Sequence, residues 1–131
     1  MPLGHLGINV SDLTGARAYY DELMPLLDYT PLLADDAQFA YWPAARKMGT
    51  YLFFYPAESG EYAPTQPGLQ HLAFMVPTRA AVDRVHAWAA GRGDEILHAP
   101  REFPQYPPPY YATFFRGFDG IMIEAVCHKD A

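Results

Sequence analysis

Two short segments of the chain share one pattern of hydrophobic and polar positions. His5–Val10 and His71–Val76 both read His-Leu-x-apolar-x-Val, about half the chain apart. Each segment is short, is bounded by turn or capping residues and is rich in apolar and β-branched side chains, which predicts a strand. Because a repeat of this length is too long for a solenoid of many units, it predicts two copies of one supersecondary unit.

Each predicted strand is followed by apolar residues at spacings of three and four, which predicts a helix. Ser11 or Asp12 can cap the first helix, and Thr78 can cap the second. Pro25 is expected to disturb the last turn of the first helix. The predicted apolar faces comprise Leu13, Ala16, Tyr20, Leu23 and Leu27 in the first helix, and Ala81, Val82, Val85, Trp88 and Ala89 in the second.

Three further strand-like runs complete each half and predict the order βαβββ twice, an α+β fold. They are Tyr29–Leu33, Gln38–Trp42 and Thr50–Tyr55, then Glu95–His98, Tyr110–Phe115 and Ile121–Val126. We expect one domain, 1–131, made of two modules at approximately 1–57 and 68–128, with 58–67 as the connecting loop. The proline-rich stretches Pro56–Pro67 and Pro100–Pro109 are predicted to be loops.

Composition and charge restrict the kinds of binding partner and the location that can be expected for this protein. Nine Lys and Arg against fifteen Asp and Glu give a formal net charge of −6, the wrong sign for binding nucleic acid. The chain has no long apolar run and no basic-then-apolar start, so we expect neither a membrane span nor export. A single cysteine, Cys127, is compatible with a reducing compartment, and a cytoplasmic location is expected.

Side-chain alternation places two histidines and a glutamate on the strand faces that turn away from the helices. His5, His71 and Glu124 share this parity. Two imidazoles and one carboxylate can hold a divalent ion and leave positions open for substrate. We therefore hypothesise a metal site at these residues. The alternative is an exposed His5, a hydrogen-bonded His71 and an edge-strand Glu124, each without a functional role.

Apolar and aromatic side chains of the same parity are expected to line a cavity around this site and to bind an apolar or aromatic small molecule. Ordinary core packing is the alternative for any one of them. The candidates for contact with substrate are Tyr51, Phe53, Tyr110, Phe114 and Met122, with Tyr55 and Met75 beside them.

The two His-Leu strands and the segment Phe114–Glu124, which reads Phe-Phe-Arg-Gly-Phe-Asp-Gly-Ile-Met-Ile-Glu, resemble the vicinal oxygen chelate superfamily. That superfamily includes glyoxalase I, extradiol dioxygenases, fosfomycin-resistance enzymes and bleomycin-binding proteins. The resemblance covers nearly the whole chain. It implies a glyoxalase-like, U-shaped mixed sheet around a central cavity, one divalent metal ion (Fe, Mn, Ni or Zn) and a homodimer. His5, His71 and Glu124 fall on the metal-ligand positions, and Glu124 is also the expected catalytic residue.

The chain departs from the family pattern in ways that leave the reaction open. Phe53 stands where glyoxalase I has another metal-binding carboxylate, and Phe114 stands where extradiol dioxygenases and fosfomycin transferases carry a tyrosine. Tyr110 or Tyr111 could replace that tyrosine if the register differs. Gly117-Phe118 replaces the Asp-Pro that usually precedes Asp-Gly. The resemblance thus implies a metal-dependent lyase or isomerase, or a ring-cleaving dioxygenase. The alternative is a non-catalytic, bleomycin-resistance-like protein that binds a cationic aromatic ligand.

The loop Arg101–Pro109 is expected to be a lid over the cavity or a dimer contact. His98, near this loop, is either a further acid or base for the reaction or a surface residue.

Overall fold

The computed structural model describes all 131 residues and divides into two compact units, Met1–Glu61 and Tyr62–Ala131. In the first unit the elements are β1 (His5–Val10), α1 (Leu13–Leu26), β2 (Tyr29–Ala34), β3 (Phe39–Pro43) and β4 (Tyr51–Pro56). In the second they are β5 (His71–Met75), α2 (Arg79–Gly91), β6 (Glu95–Glu102), β7 (Tyr111–Arg116) and β8 (Met122–Cys127). Both the α+β class and the order βαβββ in each half are confirmed.

Each unit contains one mixed four-stranded sheet. The strand orders are β1-β4-β3-β2 and β5-β8-β7-β6. The first and last strands of each unit pair in parallel, and the other pairs are antiparallel. Two parallel strands must be joined by a crossover connection. In each unit that connection begins with the helix, which directly follows the first strand. The strand that begins with His71 therefore lies beside the strand that carries Glu124.

The helices begin where the sequence predicts, although only one of them has a side-chain cap. Thr78 Oγ1 accepts a hydrogen bond from the Ala81 N–H at 3.1 Å, whereas Asp12 makes no such bond. The first helix contains Pro25 in its last turn and ends at Leu26. Its buried face comprises Ala16, Tyr19, Tyr20, Leu23 and Met24, and that of α2 comprises Ala81, Val82, Val85 and Ala89. Neither helix has the length and apolar character needed to cross a lipid bilayer.

The prediction of a loop from Pro100 is wrong, because β6 continues to Glu102. β6 is the edge strand of its sheet, where a proline that lacks an N–H interrupts no pairing on its outer side. The register shifts between His98 and Arg101, which accommodates the proline in a bulge. Only the remainder of this stretch, before β7 begins at Tyr111, is a loop.

Candidate metal site

The pairing of β5 with β8 brings His71 and Glu124 together. Ala73 lies opposite Glu124, and His71 lies opposite Met122, two residues earlier on the same strands. Residues two apart on a strand share a face of the sheet, so His71 and Glu124 are diagonal neighbours on one face. His71 Nε2 lies 3.4 Å from Glu124 Oε1.

Glu124 is a buried carboxylate without a lysine or arginine partner. It is 2% exposed and sits on an interior strand. Its second oxygen, Oε2, accepts a hydrogen bond of 2.5 Å from the Tyr110 hydroxyl. Burial, followed by this hydrogen bond and the charge of Glu124, raises the pKa of Tyr110 above its usual range. The phenol therefore stays protonated and acts as a donor.

The hydrogen bond of the other ring nitrogen of His71, Nδ1, determines whether Nε2 of the neutral ring is a donor or an acceptor towards Glu124. His71 Nδ1 forms a short contact with Gln70 Oε1, an amide oxygen that can only accept a hydrogen bond. Nδ1 then carries the proton, and in the neutral ring Nε2 directs a lone pair at Glu124 Oε1. The contact with Glu124 is favourable when Nε2 carries a proton or when a metal ion lies between the two atoms. This arrangement is the usual one for a metal-binding histidine, whose outer N–H is hydrogen-bonded.

The spacing of the two facing atoms fits a divalent ion. Two ligand atoms at about 2.1 Å from one tetrahedral ion lie about 3.4 Å apart, which is close to the observed distance from His71 Nε2 to Glu124 Oε1. An imidazole nitrogen and a carboxylate oxygen suit Zn, Mn, Fe and Ni alike. The donor set of the second unit therefore fits the ion that the sequence predicts, with two protein ligands.

His5, the third predicted ligand, lies at the start of β1 in the first unit and is exposed. Its ring contacts Phe53 edge-on, at 5.6 Å between centroids. Tyr51 lies opposite His5 on the neighbouring strand, and Phe53 stacks on Tyr55 at 6.4 Å. No group of three or more His, Cys, Asp and Glu side chains that could hold one metal ion is found in the structure.

The rest of the candidate face in the second unit is aromatic. Phe114 lies opposite Glu124 on β7, and His98 lies opposite Phe114 on β6, so the three residues form a line across the sheet. The Phe114 ring is 6.4 Å from the His71 ring and 5.5 Å from the His98 ring. Met122 is half-buried. His98 belongs to a strand and faces the same side as Glu124.

Sequence reasoning missed three residues around Tyr110 and His71. Gln70 contacts His71, and its position directly before the histidine is a signal that could have been used. Phe103 is 3% exposed and packs with Ala112 and Val126. His128 packs its ring edge-on to Tyr110, at 5.1 Å between centroids. The last two contacts depend on how the loop before β7 closes, which the local sequence does not indicate.

Comparison with known proteins identifies the class. The model of the Glyoxalase/Bleomycin resistance protein/Dioxygenase superfamily matches residues 3–125. The chain therefore belongs to this superfamily, and the resemblance seen in the sequence is confirmed. The superfamily acts on or binds small molecules, often uses a divalent metal, and contains both enzymes and non-enzymes.

Individual relatives match almost the whole chain, two of them by structure and one by sequence. The crystal structure of a candidate glyoxalase from Bacillus halodurans is 28% identical, with a TM-score of 0.78 and coverage of 95% of this chain and 94% of that one. A glyoxalase/dioxygenase from Nostoc punctiforme is 21% identical, with a TM-score of 0.74 and coverage of 98% and 91%. The uncharacterized protein YqjT of Bacillus subtilis (strain 168) is 26% identical over 129 residues, 93% of this chain and 95% of that protein.

Proposed function

We propose that this protein is a divalent-metal-dependent enzyme that binds a small oxygen-bearing substrate on an ion held by His5, His71 and Glu124. The observation that carries the proposal is the pair His71–Glu124, whose Nε2 and Oε1 atoms lie 3.4 Å apart, a spacing that fits two ligands of one divalent ion. His5 is the third ligand by its place in the repeated His-Leu strand. A bound divalent ion supplies Lewis-acid stabilisation of negative charge on a substrate oxygen.

The side chains around the pair are suited to an apolar substrate body. Phe114 and Met122 share the face of Glu124 in the second unit. Tyr51 and Phe53 share the face of His5 in the first unit. These rings and the thioether can orient a substrate by contact without competing for the ion. The substrate class we propose is therefore a small molecule with oxygen donors on an aromatic or aliphatic body.

The residues at the proposed site exclude some reactions of the superfamily but are compatible with more than one. Glu124 is the single carboxylate among the proposed ligands, so a proton shuttle between two ligand carboxylates is excluded. Phe114 cannot transfer a proton. We propose either isomerisation or elimination with Glu124 as the one base, or oxygen-dependent ring cleavage. The native metal distinguishes them, because iron favours the oxygen chemistry and nickel or zinc the isomerisation.

Metal content tests the proposal directly. The untagged protein is purified, stripped with EDTA, reconstituted separately with Fe(II), Mn(II), Ni(II) and Zn(II), and measured by elemental mass spectrometry. We expect about one ion per site, lost in His5→Ala, His71→Ala and Glu124→Gln. His98→Ala removes a histidine from the same face that is not a proposed ligand, and it should keep the metal. A wild-type protein that stays empty with all four ions overturns the proposal.

A second candidate function is a non-catalytic binding protein for a cationic aromatic ligand. The stacked rings of Phe53 and Tyr55 on the His5 face of the first sheet favour it, together with the net charge of −6. A fluorescence titration of EDTA-treated protein with bleomycin tests it. Tight binding that does not change when metal is added supports the binding protein over the enzyme.

We also propose that the protein works as a homodimer in the cytoplasm, as the resemblance implies. Light scattering coupled to size-exclusion chromatography tests the oligomeric state. A monomer mass at all concentrations, in protein with a full complement of metal, contradicts it.

A further inference from the structure

Tyr110 is the last residue of the loop between β6 and β7, and its ring is held on several sides. It contacts Phe103 at 6.0 Å, Tyr106 at 4.8 Å and His128 at 5.1 Å between ring centroids. The loop closes on itself where the Phe103 N–H donates to the Tyr110 carbonyl oxygen at 2.9 Å. The position of the Tyr110 hydroxyl is therefore determined by the packing of the loop.

The same loop is anchored in the core by its first residue. Phe103 is 3% exposed and packs on Ala112 and Val126, which lie opposite each other on β7 and β8. Val126 is two residues from Glu124, so this packing is on the Glu124 face of the sheet. Opening the loop would expose Phe103 and break the bond from Tyr110 to Glu124. Both contacts hold the loop against the sheet.

We propose that Tyr110 is a positioning residue for Glu124, and that the loop Phe103–Tyr110 thereby sets the affinity of the site for its divalent ion. This inference rests on the proposed function. The terminal torsion of a glutamate is broad, so an unrestrained carboxylate can present either oxygen or both. The Tyr110 hydroxyl occupies Oε2 at 2.5 Å, which leaves Oε1 to face His71. The hydrogen bond also offsets the desolvation of the buried charge.

The neighbouring tyrosine provides a matched control. The Tyr111 hydroxyl donates to Asp83 Oδ1 on α2 at 2.7 Å, and the Arg79 guanidinium lies over the Tyr111 ring. Tyr110 and Tyr111 thus each donate to a carboxylate, but only Tyr110 reaches Glu124. Tyr111→Phe removes the same atom from the same chain segment and should leave the proposed site untouched.

The experiment compares the wild type, Tyr110→Phe and Tyr111→Phe as full chains stripped of metal. Isothermal titration with Zn(II) and Mn(II) gives the dissociation constants, and near-ultraviolet circular dichroism checks the fold. We expect Tyr110→Phe to bind about 10- to 100-fold more weakly, the range for removing a partner of a metal ligand, and Tyr111→Phe to match the wild type. X-ray absorption of the Zn(II) forms should show an altered number of oxygen ligands in Tyr110→Phe alone.

A second variant tests the same inference if Tyr110→Phe does not fold. Phe103→Leu keeps the Tyr110 hydroxyl and an apolar side chain but loosens the loop, and it should weaken binding in the same direction by a smaller factor. Wild-type affinity in folded Tyr110→Phe overturns the inference and leaves the proposed function intact. A wild type that binds none of Zn(II), Mn(II), Ni(II) and Fe(II) overturns both.

Discussion

His71 Nε2 and Glu124 Oε1 face each other at 3.4 Å across two parallel strands that are separated by most of the second unit in sequence. The contact exists because the last strand of the unit returns to lie beside the first. A buried carboxylate is stable only with partners, and the Tyr110 hydroxyl donates a hydrogen bond to one oxygen of Glu124. A divalent ion between the facing atoms would complete this arrangement.

Divalent metal should stabilise the folded protein through this pair. A ligand that binds only the native state at 100 times its dissociation constant adds about 2.7 kcal/mol to the free energy of unfolding. We expect Zn(II) to raise the Tm of the wild type and to leave the Tm of His71→Ala and Glu124→Gln unchanged. Thermal unfolding with EDTA and with added Zn(II) measures this effect. An equal rise in all three proteins would indicate unspecific binding elsewhere.

Without metal, Tyr110→Phe should already lower stability. The variant removes the only hydroxyl that donates to the buried Glu124 carboxylate, and losing a hydrogen bond to a charged group costs about 1.5–3 kcal/mol. Tyr111→Phe breaks a bond at the exposed surface and should cost less. Urea unfolding in EDTA gives both values. If the free energy of unfolding falls equally in the two variants, the hydrogen bond from Tyr110 to Glu124 contributes no more than a surface hydrogen bond.

Phe103→Ala should be strongly destabilising, although Phe103 belongs to a proline-rich loop. The ring is 3% exposed against Ala112 and Val126, and truncation of a buried phenylalanine costs about 3–5 kcal/mol. Tyr106→Ala removes an exposed aromatic of the same loop and serves as the control. Chemical unfolding of the two variants tests the expectation. A loss below about 1 kcal/mol in Phe103→Ala would show that the loop is not part of the core.

Stability should fall in alkaline solution partly through Tyr41. Burial, then the hydrogen bond of 2.7 Å to Asp21 and the charge of Asp21, raises the pKa of Tyr41 above its usual range. In the unfolded chain the phenol ionises near pH 10, so above that pH the unfolded state holds fewer protons than the folded state. The contribution of Tyr41 to the free energy of unfolding is therefore fully present below about pH 10. It is lost as the pH rises towards the pKa of Tyr41 in the folded protein.

The variant Tyr41→Phe tests this pH dependence. Its free energy of unfolding should be lower at neutral pH, because the bond to Asp21 is gone, but should decline less steeply between about pH 9 and 11. Residual slope is expected from Tyr29, Tyr110 and Tyr111, whose pKa values are also raised. Identical slopes in the wild type and the variant would contradict the assignment.

Two glycines in open surroundings should respond to alanine with opposite signs. Gly120, in the turn before β8, has a φ of 78°, and an added Cβ would meet nothing within 4 Å. Gly120→Ala should therefore cost about 1–2 kcal/mol through backbone strain alone. Gly91, at the end of α2, also has open space and no positive φ. Gly91→Ala should add about 0.4–1 kcal/mol. Urea unfolding of both variants checks the signs.

Local patterns were sufficient to predict the repeated unit. The strand His5–Val10 has the predicted bounds, and both helices begin at the predicted caps. Proline was less informative than its usual rule suggests. Pro100 lies within β6, because an edge strand with a bulge tolerates a missing N–H. Whether a strand is at an edge depends on the order of strands in the sheet, which local composition does not reveal.

The sequence by itself determined the elements, their duplication and the parity that assigns His71 and Glu124 to one face, because alternation and helical spacing are properties of neighbouring residues. Only the tertiary structure decided which atoms meet. The hydroxyl of Tyr110, an expected substrate contact, donates to Glu124, and Phe103 of the loop expected to be a lid or a dimer contact is buried. These outcomes depend on strand pairing and loop closure, which bring together side chains that are distant in sequence. No local sequence pattern encodes such contacts.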